Sequence, residues 1–114
     1  MERVIRIGTR DVPMKATAST LMRYRNQYGA DLIEDFGKIQ KGLQEDHITG
    51  EVIDMFVGLS HIMARQADPS IPPDPNDWVD EFDVFPIRDI LIPVMSLWAD
   101  SLGVRVEVVD EKKV

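Results

Sequence analysis

Apolar side chains fall on every second position in two short runs at the start of the chain: Ile5 and Ile7 share one face, and Val12, Met14 and Ala16 share another. A period of two is the rhythm of a strand, and the intervening GTRD supplies a turn, so the chain is expected to open with a β-hairpin. Pro13 has no N–H to give a neighbour, which puts its strand at a sheet edge. A hairpin alone is marginal and needs a further strand or a helix to cover it.

The rhythm then changes to threes and fours. Leu21, Tyr24 and Tyr28 form the inner stripe of a short helix, with Ser19 read as its cap and Gly29 ending it in a left-handed conformation. Asp31 opens a second helix on Leu32, Phe36, Ile39 and Leu43. Thr49 opens a third, whose broad face of Val52, Met55, Phe56, Leu59, Ile62 and Met63 marks it as central. Prolines at 69, 72, 73 and 75 stiffen the connection that follows.

Asp74 before Pro75 is a helix start, so NDWVDEF is expected to form a short helix burying Trp78 and Phe82. Pro86 leads a last helix with Ile87, Ile90, Leu91, Val94, Leu97, Trp98 and Leu102 inward, and Pro93 removes one of its hydrogen bonds and bends it. After Gly103, Val104, Val106 and Val108 alternate with charge as a strand would, and a frayed tail follows. The expected fold is mainly α: a single domain of about five helices, with the hairpin in residues 1–17, the helices in 18–102, and in 103–114 a strand that can join the hairpin (α+β).

Composition narrows the function. A chain of 114 residues with 44% apolar and 29% charged residues suits one folded domain. Its net charge of −7 opposes nucleic-acid binding, which needs clustered Lys and Arg. The absence of cysteine removes disulfides, thiolate zinc sites and thiol nucleophiles. MERVIRIGTRDV lacks the apolar run of a secretory signal, and no stretch reaches the ~18 apolar residues of a membrane span, so a soluble intracellular protein is expected.

No catalytic pattern emerges. Asp77, Asp80, Glu81, Asp83 and Asp89 offer carboxylates near one another, without the glycine and ligand spacing of a calcium loop, and read better as a solvated or partner-facing acidic surface. His47 and His61 have no HExxH or triad partner, and a partly buried structural role suits each better than a ligand or base. No phosphate-binding glycine fingerprint occurs. Neither a metal nor any other cofactor is called for.

The basic and aromatic MRYRNQY looks like a nucleic-acid surface, but Tyr24 and Tyr28 fall on the Leu21 stripe, leaving Arg23 and Arg25 to meet acids of this chain or another. Trp78, Phe82, Phe85 and Trp98 either close the core or leave one or two rings exposed as a docking groove.

Three stretches, MKATASTLMRYRNQYGADLIEDF, HIMARQADPSIPPDPNDWVDEFDVF and DILIPVMSLWADSL, together cover most of residues 10 to 102. In that order the chain resembles the small tail assembly chaperones of long-tailed phages and prophages of Gram-positive bacteria. The resemblance rests on Arg23-Tyr24-Arg25 with Gly29 and Asp31, then Trp78 with Phe82 and Phe85, then Leu97-Trp98.

The resemblance implies a non-enzymatic protein of the bacterial host's cytoplasm, absent from the mature virion. It would bind the apolar tape measure protein, keep it soluble and promote assembly of tail-tube subunits around it. The resemblance also implies a longer form made by a translational frameshift, which recruits the tail tube protein, and Lys112-Lys113 would suit a slippery A-rich codon pair. Coating one long client further implies weak self-association.

Six methionines, among them Met22, Met55, Met63 and Met95, suit either core filling or an adaptable groove. The family supplies no fixed binding residues; on physical grounds the candidate contacts are Tyr24, Tyr28, Trp78, Phe82, Phe85 and Trp98, with Arg23 and Arg25 orienting a partner. Two rivals stand beside this reading. One is a small acidic regulator or antitoxin-like phage protein on a basic surface, whose binding salt would abolish. The other is a metal-dependent enzyme using the acids from Asp77 to Asp89.

Overall fold

A computed structural model describes residues 1–103; the expected strand after Gly103 and the tail lie outside the described residues. Strands β1 (Glu2–Ile7) and β2 (Arg10–Lys15) form an antiparallel two-stranded sheet in which Ile5 faces Val12 and Val4 faces Pro13. The turn is tighter than GTRD: only Gly8 and Thr9 separate the strands. Gly8 has φ +63° and Thr9 has no positive φ, the pattern of a type II′ hairpin turn.

Pro13 fits for a specific reason. Met1 and Ala16 exchange backbone hydrogen bonds of 2.9 and 2.8 Å. Counting from that pair along the alternating antiparallel ladder, Val4 and Pro13 occupy a position that exchanges none. The missing N–H therefore costs no ladder bond.

Helices α1 (Ala18–Tyr28), α2 (Leu32–Gln44), α3 (Gly50–Ala67), α4 (Pro75–Val79) and α5 (Ile87–Ser101) follow. The cap of α1 is Thr17 rather than Ser19: Thr17 Oγ1 accepts from the Ser19 N–H, and Thr20 Oγ1 accepts in return from the Thr17 N–H at 3.0 Å. This reciprocal box satisfies two orphan donors of the helix start. Gly29, with φ +66°, closes α1, and its N–H bonds the Arg25 carbonyl. Asp31, Thr49 and Asp74 cap α2, α3 and α4 with their side chains.

α3 is the centre of the molecule. Its face of Val52, Phe56, Leu59, Ile62, Met63 and Ala64 is buried against α1, α2 and β2. The hairpin is covered by helices, β2 by α3 and β1 by α5, which places Ile5, Ile7, Val12, Met14 and Ala16 in the core. Burying a side chain such as Ile7 or Met14 stabilises the fold by about 1.5–3 kcal/mol.

The inward stripes differ from expectation at their ends. On α1 only Thr20 and Tyr24 are buried, with Leu21 half-buried and Tyr28 exposed. Phe82 lies beyond the short α4, half-buried, and Leu102 is exposed at the end of α5. α5 runs unbroken through Pro93, which faces solvent, so the Asp89 carbonyl that loses its partner there lies at an exposed position.

Candidate functional site

The candidate residues separate into three places. At the α1 corner, the Tyr24 hydroxyl donates to the Asp35 carboxylate of α2 at 2.7 Å. Both residues are buried, and burial first, then the bond and the charge of Asp35, pushes the Tyr24 phenol's pKa well above its ordinary value. Tyr28, at 5.1 Å from Tyr24 between ring centroids, lies against Gly58 of α3. A Cβ at Gly58 would sit 2.9 Å from that ring, so glycine is what lets the ring lie down. Burial, and after it the charge of Asp74, raises the Tyr28 phenol as well.

Tyr28 also edges a depression of about 380 Å³ between α3 and α4, with Asp54 and Asp80 among its polar lining. Arg25 is exposed, and Arg23 bonds Ser19 with its Nε at 3.2 Å.

The second place is a ring cluster beneath the proline-rich connection. Trp78 is 1% exposed, with Phe82 and Phe85 edge-on to it at 5.4 and 5.8 Å. The Arg10 guanidinium of β2 lies 4.4 Å over the Phe82 ring. His61 also packs against Trp78, 5.7 Å away between ring centroids, and uses Nε2 on the Pro72 carbonyl at 2.7 Å. A carbonyl only accepts, so Nε2 carries a hydrogen. These contacts tie α3, the proline segment and the hairpin together, with Phe82 and Phe85 half-buried.

The third place is a groove between α2 and α5. Phe36 and Trp98, 4.8 Å apart between centroids, lie beside Ile33, Gly37, Ala99 and Leu102 around a volume of about 310 Å³, with Gln40 the one polar side chain among its lining. Ile33 is 62% exposed and Leu102 39%. The Trp98 indole is almost wholly buried, and its Nε1–H has no hydrogen-bond partner among the described residues. A buried donor without an acceptor costs about 1–3 kcal/mol.

The structure thus does not assemble the named aromatics into one surface. Trp78 and Trp98 have little ring left for a partner, whereas Tyr28, Phe82 and Phe85 keep part of theirs. Ile33 and Leu102 are the exposed apolar residues at the groove; the helical stripe does not point to the first and places the second inward. Ile33 is an isoleucine standing off the Leu32, Phe36, Ile39 stripe, and that displacement was the available signal.

Among the described residues no three His, Asp or Glu side chains gather as metal ligands, and the acids from Asp77 to Asp89 are exposed. No helix among them is long and apolar enough to cross a membrane. No protein-family model, curated protein or solved structure matches the chain.

Proposed function

We propose that this protein is a non-enzymatic tail assembly chaperone that holds an apolar helical stretch of the tape measure protein in the groove between α2 and α5. The observation that carries the reading is that groove: an apolar trough framed by exposed Ile33 and Leu102, on a chain with a net charge of −7. An amphipathic helix laid in such a trough buries its i, i+3, i+4 face, while the acidic surface keeps the pair in solution.

Gly37 contributes by what it lacks. Among the described residues, no heavy atom outside its own helix backbone and chain neighbours lies within 4 Å of where its Cβ would stand, so there the trough leaves room for a client backbone to approach. The sequence resemblance supplies the client's identity, the host cytoplasm as the place of action, and the longer frameshifted form that would recruit the tail tube protein.

The test is co-expression with a tape measure protein from a tail gene cluster. Wild type is expected to keep the client soluble and to co-purify with it, and Ile33→Asp to lose both while folding normally. A client that precipitates equally with and without the chain would overturn the reading. A tail-tube gene upstream and a very long helical frame downstream are expected beside its gene, and their absence would count equally against it.

A further inference from the structure

A small notch between α1 and α3, about 90 Å³, is lined by Arg23, Gln27, His61, Ile62, Arg65 and Gln66. On an acidic chain its charge is unusual. Arg3, Arg6, Arg10 and Arg88 each pair with a carboxylate. Among the described residues Arg23, Arg25 and Arg65 pair with none, and two of the three, Arg23 and Arg65, line this notch.

Its polar groups are also incompletely used. Of the buried side-chain nitrogens and oxygens without a partner among the described residues, Arg65 Nε, an N–H that can only donate, belongs to a lining residue. Among the described residues Arg65 is otherwise held only by a 3.5 Å contact from its guanidinium to the Pro69 carbonyl, so little there opposes its swing toward a stronger acceptor. Arg23 spends its Nε on Ser19 and keeps the outer fork of its guanidinium. Gln66 is fixed by bonds to Thr17 and Thr20 and holds one wall still.

We propose that this notch is an oxyanion site, in which Arg23 and Arg65 close on a phosphate or carboxylate group. The volume is that of about three waters, which suits a group of four or five heavy atoms. Two arginines lining one small space carry like charges that an anion between them would relieve, and charge-assisted bonds are the strong ones. The site is independent of the α2–α5 groove. Its ligand is either a free phosphate or a carboxylate presented by another protein.

The experiment is a titration of the full chain with sodium phosphate, and separately with sodium acetate, at constant ionic strength, followed by the Arg65 Nε–H and His61 ring resonances. Saturable shifts are expected, with affinity weakened about tenfold by Arg23→Gln or Arg65→Gln and unchanged by Arg25→Gln. Saturation by phosphate alone assigns a phosphate ligand, saturation by acetate alone assigns a carboxylate, and saturation by both assigns an oxyanion site that takes either. Shifts that stay linear with both anions, or that Arg25→Gln weakens as much as Arg65→Gln, would show unspecific charge attraction and overturn the site. Circular dichroism of each variant separates lost binding from lost fold, because both arginines can be exchanged for glutamine without opening the core.

Discussion

Tyr24 donates to a carboxylate that has almost no contact with water, Asp35 being 5% exposed. Tyr24→Phe keeps the ring and removes the donor, so Asp35 is left buried and unsatisfied, and the chain is expected to lose about 1–3 kcal/mol in urea unfolding. The pH dependence follows from the same bond. The folded phenol titrates above its ordinary 10.0, so the folded chain binds this proton more tightly than the unfolded chain does. The contribution is fully present below that value and drains away as pH rises past it.

Wild type should therefore lose stability steeply in alkali, and Tyr24→Phe should lose it less steeply; Tyr28 shifts in the same direction and keeps a residual slope in the variant. Parallel alkaline curves for the two proteins would remove Tyr24 from the account. Asp35 itself was not foreseeable from spacing, because a carboxylate within a helical stripe looks solvated until a tyrosine from another helix is known to reach it.

Caps and turns decide where the elements begin. Thr17 caps α1, and its hydroxyl also accepts from Gln66 of α3 at 3.0 Å. Thr17→Ala is expected to cost about 1–2 kcal/mol in urea unfolding, whereas Ser19→Ala should stay within about 0.5 kcal/mol. The reverse order would restore Ser19 as the cap. Gly8 has φ +63°, and a Cβ there would meet the Val84 carbonyl oxygen at 3.1 Å. Gly8→Ala is accordingly expected to lower stability by about 1–3 kcal/mol, read from the shift of the urea midpoint.

The elements with strong periodicity are legible in the sequence alone: the hairpin, the glycine corner at Gly29, α2 after Asp31, α3 after Thr49 and α4 at Asp74-Pro75. Misplaced features lay at ends, where adjacent residues compete for one role. Thr17 and Ser19 both carry capping hydroxyls, and only the Gln66 contact and the box with Thr20 distinguish them. Leu102 continues the α5 stripe by number, yet the core stops one turn earlier at Trp98 and Ala99.

At the scale of the whole molecule, α3 and α5 cover the hairpin, with the Arg3–Asp100 pair joining β1 to α5 at the surface. An exposed pair of this kind adds at most about 1 kcal/mol. Stability therefore rests on the apolar core, and the chain's charge is free to serve solubility and partner choice. The candidate site was only partly readable for the same reason. Trp98 stands out in the sequence, but which aromatic stays in water depends on how helices distant along the chain pack, and Phe36 of α2 lies 4.8 Å from the Trp98 ring.

The most direct test of the central claim is calorimetric titration of an amphipathic helical peptide from the tape measure protein into wild type and Ile33→Asp, at low and at high salt. Ile33 is 62% exposed, so the substitution should leave the fold intact. The account predicts binding that persists in high salt and weakens at least about tenfold in the variant, the loss of one well-packed apolar anchor. Affinity that collapses with salt and ignores Ile33→Asp would contradict it and favour an acidic protein bound to a basic surface.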